Sequence, residues 1–550
     1  IMPNKFRLSS GGEINRTERI SFKFNGRNYF GYKGDTLASA LLGNGVHLVA
    51  RSFKYHRPRG FLGSGSEEPN AIVQVLKDKA RTQPNIRATE IEIFEGFEAR
   101  SQNCWPNVNF DIGEINSLFS PILPAGFYYK TFMWPAKFWK TYEYFIRKSA
   151  GLGVSATERD PDIYDHKYHH CDVLIIGTGP AGLSAAVIAA QSSKKVLLVD
   201  ENAEHGGSLL GSNDKTNNIN NETPKEWIKK TYSELLKNKN IKILNRTSVA
   251  AYHNYNYLIM MENLTDHLNE LEKKNKIRQR LWKVRAKKVI LATGSIERTM
   301  VFDSNDKPGV MLSSAVRKYL NHYAVKCGNN AVIFANNDDA YETALSLHDK
   351  GVKVKAIIDT RDGSDGYLVK KCVELGLSIM WKHTVVSVGG HKKINKIYTM
   401  KLSNNNNSVL GKKIKIECDL MCVSGGYTPS VHLFTQSGGK LSYDEKKSYF
   451  YPNKTKLDQI SIGACSGIFN LKKIIEDTYL KVNNFLGTSI KCNINVSDKK
   501  SGTFENIWLL PSDKISGKTK SFVDFQNDST ANDIKLALRE GFKSIEHVKR

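Results

Sequence analysis

The chain has 550 residues, enough for about three or four domains. Hydrophobic residues make up 40% and charged residues 25%, and no run of about 18 apolar residues occurs, so we predict a globular protein without a membrane span. The formal net charge is +25, but the lysines are dispersed among asparagines and form no basic module with interleaved aromatic residues, which argues against nucleic-acid binding.

The first unit, predicted over residues 1–105, begins with a β-hairpin. Asn25 and Gly26 stand between two alternating apolar runs, which is the pattern of a tight hairpin turn. Asp35 is the expected N-cap of a short helix over Thr36–Leu42. The basic, glycine-rich segment Arg51–Gly65 that follows is predicted as a loop.

Residues 106–168 are predicted as an aromatic helical arm. Phe, Tyr and Trp residues are dense between Phe110 and Ala150. Such a density favours packing on another domain or on a partner protein over contact with a membrane surface. We therefore expect this linker to serve as an interface as well.

The stretch from Cys171 to Asp200 carries the most informative motif of the chain. An apolar strand, glycines at GxGxxG spacing, an Ala-rich helix and a second apolar strand follow one another in order. Gly177 permits the tight turn out of the strand, Gly179 lets the backbone approach a diphosphate, and Gly182 lets helix and strand pack closely. Asp200 is expected to accept hydrogen bonds from a ribose diol. The motif predicts dinucleotide binding, with NAD or FAD favoured over NADP.

The dinucleotide-binding domain is predicted in two parts, residues 169–320 and residues 419–500. A strand that runs into a glycine turn marks each part, at Lys287–Gly294 and at Asp419–Gly426. A second Rossmann-like domain is predicted as an insertion over residues 321–418.

The inserted unit has asparagines where a phosphate-binding turn carries glycines, at Asn336 and Asn337. We therefore expect it to keep the Rossmann shape without binding a diphosphate. Residues 501–550 are predicted as a small helical unit with a short strand at Phe522–Asp524 and Thr530 as the cap of its first helix. Because the sequence stops within a predicted helix, we expect this unit to be truncated.

Together these segments resemble the alpha subunits of heterotetrameric sarcosine oxidase, among the flavoproteins with two dinucleotide-binding domains. The resemblance covers nearly the whole chain and rests on SFKYHRPRGF (Ser52–Phe61), ANNDDAYETA (Ala335–Ala344), SGGYTPSVHLF (Ser424–Phe434) and VDFQNDSTANDI (Val523–Ile534). It implies an α/β fold of the FAD/NAD(P)-binding, Rossmann-like type with two dinucleotide-binding domains. A cysteine-less [2Fe–2S] ferredoxin-like domain at the N-terminus and a small, BFD-like α unit at the C-terminus complete the predicted fold.

Cysteines are scattered through the chain, and none occurs before Cys104. A [2Fe–2S] cluster takes four thiolates, so we predict no iron–sulfur cluster. Related opine oxidase subunits carry such cysteines. Their absence here therefore favours a sarcosine oxidase subunit over an opine oxidase subunit. The eight cysteines form no CxxC pair, so we predict no metal site and a reducing, cytoplasmic location.

The resemblance implies NAD in the first dinucleotide site, with FAD as the alternative occupant of that site. It implies FMN near Ser424–Pro429, at an interface with a beta subunit that carries FAD and the sarcosine site, and smaller gamma and delta subunits. The implied reaction is oxidative demethylation of sarcosine to glycine, with oxygen as acceptor and folate-linked one-carbon transfer. Tetrahydrofolate is expected only if the C-terminal aminomethyltransferase-like domain of the family, absent from this sequence, is present.

No catalytic residue is predicted in this chain, because no nucleophile–histidine–acid set or carboxylate pair has useful spacing; His432 is expected to be packed or at an interface. The resemblance implies cofactor contacts by Ala181, Asp200, Glu201, Ser208, Val249, Ala464, Phe469 and Leu471. At the adenine position, Ser248 and Ala250 fit the pattern as well as Val249 does. The remaining predicted cofactor-binding residues are Gly177, Gly179, Pro180, Gly182, Gly207, Thr293 and Gly294.

Three hypotheses therefore compete. The first is an NAD-binding alpha subunit, inactive alone, of a heteromeric sarcosine oxidase. The second is a self-sufficient NAD(P)H-dependent FAD oxidoreductase or a subunit of a related opine or amine dehydrogenase. The third is an interaction scaffold with a vestigial cofactor, which the complete glycine motif argues against.

Overall fold

The N-terminal unit of the computed structural model is a five-stranded sheet packed against one helix. The structure describes residues 4–119, 134–149, 151–497, 499–514 and 519–549. The hairpin predicted at Asn25 and Gly26 is confirmed, because Phe24 pairs with Arg27 across the turn. The strands in sheet order are Arg27–Lys33, Asn15–Phe24, Phe97–Ser101, Ile72–Leu76 and Gln83–Arg87, and a two-stranded pair joins Ala50–Arg51 to Pro58–Arg59.

The helix of this unit spans Leu37–Gly43 and is capped by Thr36, whose hydroxyl accepts a hydrogen bond from the Ser39 amide. Asp35, the predicted cap, is fully buried one residue earlier. Its carboxylate accepts hydrogen bonds from the Arg7 guanidinium and the Ser39 hydroxyl. The prediction was wrong by one residue because this carboxylate pairs with a distant arginine instead of the helix end.

The predicted aromatic arm is described only in part. Its residues 120–133, which include Phe127, Tyr128, Tyr129 and Phe132, lie outside the described residues. The helix Trp139–Ser149 and a 3₁₀ turn at Ile112–Ser117 lie within the predicted arm, and a short strand pair joins Pro106–Asn107 to Phe110–Asp111. The arm is shorter than predicted, because the next strand begins at Ile163.

The first dinucleotide unit is built on a mostly parallel sheet. Its strands in sheet order are Ile241–Leu244, Val196–Val199, Ile163–Ile176, Ile277–Leu291, Tyr257–Asn263 and Thr247–His253, with Gln459–Ser461 paired in parallel on Ile277–Leu291. Its helices are Pro180–Ala190, Pro224–Leu236, Glu270–Lys273 and Leu471–Leu486. Helices Pro180–Ala190 and Leu471–Leu486 pack together over the sheet, and their buried aliphatic side chains form the core of the unit.

The inserted unit has its own five-stranded parallel sheet. Its strands in order are Val310–Leu312, Leu420–Ser424, Asn330–Ala335, Lys353–Asp359 and Ile379–Trp381, with helices Ser313–Asn321, Asp339–Asp349 and Tyr367–Glu374. Leu420–Ser424 was assigned by the sequence to the first sheet, and that boundary was wrong. Buried parallel strands carry the same apolar pattern in both sheets, so the pattern could not distinguish them.

Smaller elements connect these sheets. Ser295–Glu297 pairs with Tyr427–Pro429, and a three-stranded antiparallel sheet extends the inserted unit. The remaining elements are strands His383–Gly389, Lys396–Leu402 and Val409–Glu417, the helix His432–Gln436, and the hairpin of Lys440–Asp444 with Tyr449–Lys454. Within the described residues, no helix combines the length and apolar character needed to cross a bilayer.

The C-terminal unit packs against the N-terminal unit. It has the predicted strand Phe522–Asp524, a second strand Ser529–Thr530 and the helices Ala531–Arg539 and Ile545–Val548, and Thr530 caps the first helix as predicted. Asp528 is fully buried and accepts hydrogen bonds from the amides of Lys54 (2.8 Å) and Tyr55 (3.0 Å). The same carboxylate pairs with Arg59. The two ends of the chain therefore share one buried ionic contact.

Candidate functional site: a cleft beside the glycine turn

A cleft of about 690 Å³ lies where the strands of the first sheet end. The crevice beyond the carboxyl ends of parallel strands is the usual ligand site of such sheets. Residues from the N-terminal unit and from the inserted unit complete its walls. Twelve of the predicted cofactor-binding residues line it: Gly177, Gly179, Pro180, Ala181, Asp200, Glu201, Gly207, Ser208, Val249, Thr293, Gly294 and Ala464.

Three glycines shape the turn at the cleft wall. Gly177 has φ of 101°, and a Cβ there would lie 2.3 Å from the carbonyl oxygen of Ala292. A Cβ on Gly182 would lie 1.8 Å from the carbonyl oxygen of Gly177. A Cβ on Gly179 would meet nothing within 4 Å. Gly177 and Gly182 are thus required by packing, whereas Gly179 leaves the backbone open to a ligand.

The helix that follows, Pro180–Ala190, starts on this wall with Gly179 as its N-cap and no side-chain cap. The first amides of a helix lack intrahelical partners, and together with the helix dipole they attract anions. A second turn packs on the first, because a Cβ on Gly207 would lie 2.9 Å from the Gly179 Cα. Ser208 follows Gly207 and is exposed in the cleft. This wall can therefore hold a diphosphate.

The two acids that end strand Val196–Val199 have different partners. Asp200 is buried, and its Oδ2 accepts hydrogen bonds from the amide (2.7 Å) and hydroxyl (2.6 Å) of Thr178. Its Oδ1 accepts from the amide and side chain of Asn202. Glu201 lies exposed on the cleft wall and accepts a hydrogen bond from Ser66. Glu201 is therefore better placed than Asp200 to accept hydrogen bonds from a ribose.

The remaining predicted residues line the cleft farther along. Val249 lies on the strand Thr247–His253, and the Thr293 hydroxyl donates to the carbonyl oxygen of Ser430 (2.8 Å). A Cβ on Gly294 would meet nothing within 4 Å. Ala464 lies in the 3₁₀ turn Gly463–Ser466, which packs against the start of the glycine-turn helix.

Three predicted residues do not line the cleft. Gly182 is enclosed by the packing of helix against strand. The Phe469 ring lies 5.8 Å from the ring of Tyr427 and 5.9 Å from that of Tyr449, centre to centre. Leu471 begins the last long helix and packs on the core of the first unit.

The far end of the cleft carries a buried polar cluster. Glu297 is 6% exposed and accepts a hydrogen bond from the Ser314 amide (2.7 Å). Burial, with a contribution from the nearby Asp339 charge, raises the pKa of Glu297 to about 7. Arg317 and the Tyr427 hydroxyl both donate to Asp339, at 2.7 and 2.6 Å. This end therefore offers a carboxyl group that changes charge near neutral pH.

For several cleft residues, nothing in the sequence indicated that they would line the cleft. The loop Ser64–Glu67 comes from the N-terminal unit and Lys318 from the inserted unit, and both reach the cleft only through the tertiary fold. His432 also lines the cleft and is exposed, although we expected it to be packed or at an interface.

The segment Ser424–Pro429, near which FMN was expected at an interface with a partner subunit, packs in part against other segments of the chain, and its Tyr427 lines the cleft. Ser424 is fully buried, and a Cβ on Gly426 would lie 2.7 Å from the ring of Phe504. The Trp508 indole donates to the carbonyl oxygen of Gly425 (2.9 Å). These contacts cover part of the segment, and FMN binding there at a subunit interface stays a prediction.

Three family models match the chain. Residues 17–104 match the 2Fe-2S iron-sulfur cluster binding domain, residues 171–455 the pyridine nucleotide-disulphide oxidoreductases, and residues 518–550 the sarcosine oxidase A3 domain. The second match spans more than half of the chain and contains the glycine turn and Glu201. The chain belongs to the pyridine nucleotide-disulphide oxidoreductase family. This membership confirms the Rossmann-like fold predicted from the glycine motif.

Curated relatives confirm the resemblance to sarcosine oxidase alpha subunits. The chain is 39% identical over 562 residues to sarcosine oxidase subunit alpha of Rhizobium meliloti (strain 1021). This alignment covers 100% of the chain and 54% of that protein. It is 32% identical over 552 residues to the subunit of Corynebacterium sp. (strain P-1), covering 98% of the chain and 52% of that protein. The chain thus spans about half the length of these relatives.

A solved structure shares the fold over the whole chain. The crystal structure of L-proline dehydrogenase from P. horikoshii matches with a TM-score of 0.64 at 18% identity. The match covers 100% of this chain and 89% of that one. At this identity it supports the order and packing of the units and says nothing about substrate.

The match over residues 17–104 contradicts our prediction of no iron–sulfur cluster, and we correct it: the N-terminal unit matches the model of a 2Fe-2S iron-sulfur cluster binding domain. The prediction rested on cysteine count alone. The matched range contains one cysteine, Cys104, whereas a [2Fe–2S] cluster takes four thiolates. Among the described residues, no three His, Cys, Asp or Glu side chains group so as to hold a metal ion. Because this donor set does not fit a cluster, no step of the proposed function uses one.

Proposed function

We propose that this chain binds NAD in the cleft and serves as a subunit of a heteromeric enzyme of the sarcosine oxidase type. The observation that carries the proposal is that the open glycine turn, an uncapped helix N-terminus and the Glu201 carboxylate line one cavity. The similarity to alpha subunits named sarcosine oxidase supports the enzyme type. Oxidation of the amine, with oxygen as acceptor, would then take place on a partner subunit.

Each part of the dinucleotide has a matching group in the cleft. Gly179 and the amide of Ala181 would face the diphosphate, Glu201 the ribose diol, and Val249 the adenine. When bound, NAD supplies hydride transfer, and FAD, the alternative occupant, supplies electron transfer. The residues of this chain bind and orient the dinucleotide, and the Glu297 carboxyl can hold or release a proton near its other end.

The self-sufficient reductase is a weaker candidate because it needs a second dinucleotide site in the inserted unit. The turn at that place is covered by the chain itself: Asn336 donates to the carbonyl oxygens of Glu505 (3.0 Å) and Ile507 (3.2 Å). The Gly502 amide donates to Asp338 (2.6 Å). A diphosphate would have to displace this segment, and the carboxylate of Asp338 would repel it.

The identity of the cofactor tests the first part of the proposal. Protein purified without added cofactor is heated, and the released molecules are identified by mass. We expect NAD; FAD would assign the same cleft to a flavin. A Glu201→Ala variant, purified in the same way, should release less dinucleotide. Release of neither molecule, together with no binding of added NAD or FAD, would contradict the proposal.

The need for a partner tests the second part. Peroxide formation from sarcosine is measured for this chain alone and for the chain co-expressed with a beta subunit of the sarcosine oxidase type. We expect turnover only in the second sample. The smaller subunits and the cytoplasmic location belong to the same proposal. Folate-linked transfer is expected only if the C-terminal domain of the family is present, and adding tetrahydrofolate to a complex that contains this domain tests it. Sustained turnover by the chain alone would favour the self-sufficient oxidoreductase.

A further inference from the structure

The N-terminal unit contributes a loop, Ser64–Glu67, to the end of the cleft where Glu201 lies. The Ser66 hydroxyl donates to Glu201 Oε1 at 3.2 Å. Glu67 Oε1 accepts hydrogen bonds from the amides of Ser64 (2.6 Å) and Gly65 (3.1 Å), which fix the carboxylate on the loop. The described residues provide no hydrogen bond to the second oxygen of Glu67.

The charges at this end of the cleft are mostly negative. Although the Glu201 side chain is exposed in the cleft, partial desolvation by the cleft walls raises its pKa, and the charges of Asp200, Glu90 and Glu67 raise it further. Lys318 reaches the same place from the inserted unit. Burial lowers the pKa of Lys318, and attraction to Glu67, Asp200 and Glu201 opposes that shift. In the described part of the chain, no carboxylate oxygen lies within 4 Å of the Lys318 ammonium.

We propose that Glu67 determines dinucleotide specificity, by excluding nucleotides that carry a 2′-phosphate. Glu67 follows Ser66, which hydrogen-bonds to Glu201, and both acids line the cleft. A phosphate on the ribose held by Glu201 would therefore lie near a second carboxylate, and like charges repel strongly in a partly buried site. Glu67 also offsets the charge of Lys318, which would otherwise attract that phosphate. This inference rests on the proposed function, and it gives the N-terminal unit a part in dinucleotide recognition.

The test is a Glu67→Gln variant. Glutamine keeps an oxygen for the Ser64 and Gly65 amides but removes the charge. NAD and NADP are titrated separately into protein stripped of its dinucleotide, and the ratio of the two affinities is the readout. We expect the ratio to shift toward NADP by about tenfold, the effect of two unit charges roughly 12 Å apart at an effective dielectric constant of about 20.

Three further variants control the result. Glu95→Gln removes a charge from an exposed carboxylate of the same unit that does not line the cleft, so the ratio should not change. Lys318→Met, which changes a residue of the inserted unit, should move the ratio away from NADP even if the loop variant does not fold. The double variant Glu67→Gln/Lys318→Met should lose most of the shift toward NADP that Glu67→Gln produces, because the 2′-phosphate then has no Lys318 ammonium near it.

The outcomes separate this inference from the proposed function. NAD binding with an unchanged ratio in folded Glu67→Gln would overturn the inference alone, and so would an unchanged ratio in Lys318→Met if the loop variant does not fold. Tighter binding of NADP than of NAD by the wild-type protein would also overturn it. Absence of all dinucleotide binding by the wild-type protein would overturn the proposed function, and this inference with it.

Discussion

Replacing Glu201 and Asp200 in turn should separate a ligand contact from a structural one. Glu201→Ala removes the carboxylate on the cleft wall, and hydrogen bonds to a charged acceptor contribute about 1.5–3 kcal/mol. Dinucleotide affinity should therefore fall roughly 10- to 150-fold, with little change in the stability of the free protein. Asp200→Asn places an amide group where Thr178 and Asn202 both donate, so the free energy of unfolding should fall by about 1–3 kcal/mol.

The assay pairs calorimetric titration of the dinucleotide with thermal unfolding of the dinucleotide-free protein. Glu204→Ala, an exposed acid of the same segment that does not line the cleft, is the matched control for a lost charge. A large affinity loss in Asp200→Asn at unchanged stability, with wild-type affinity in Glu201→Ala, would refute the assignment of the ribose to Glu201.

Three further changes test the cleft. Gly179→Ala adds a methyl group that meets no protein atom, so it should weaken dinucleotide binding and leave the circular dichroism spectrum unchanged. Gly182→Ala would clash with the Gly177 carbonyl, so it should lower the yield of folded protein; normal yield would contradict the packing described. The pKa of Glu297, about 7, lies above its unfolded value of 4.5, so its stabilising contribution is complete below pH 4.5 and is lost as the pH rises through 7. In urea unfolding, Glu297→Gln should match wild type near pH 4.5 and exceed it by about 3 kcal/mol at pH 8, and equal stability at pH 8 would contradict this.

Local patterns predicted the elements that depend on neighbouring residues. The hairpin at Asn25 and Gly26 and the turn at Gly177 follow from backbone conformations that few residues adopt, so both could be predicted from short segments. The ribose acceptor could not be singled out, because Asp200 and Glu201 are adjacent acids. Only the tertiary structure shows that Thr178 and Asn202 engage the first of them.

Contacts between distant parts of the chain left no pattern in the sequence. Glu67 and Lys318 reach the cleft from separate units, more than 100 residues from the glycine turn on either side. Leu420–Ser424 was placed in the wrong sheet because its apolar pattern fits either one. The iron–sulfur prediction failed for a related reason: it counted thiols, whereas the family match extends over the whole N-terminal unit.

The buried contact between Asp528 and the N-terminal unit has a consequence for synthesis. The Asp528 carboxylate accepts a hydrogen bond from the Lys54 amide, and Asp528 lies 474 residues after Lys54 in the chain. At a translation rate of about 5–20 residues per second, a ribosome needs roughly 25 to 95 seconds to reach it. For that time the Lys54 amide has no Asp528 carboxylate. Arg59 at first lacks both Asp306 and Asp528, and after Asp306 has been synthesised it still lacks Asp528. The packing of the N-terminal unit is therefore completed only after Asp528 has been synthesised.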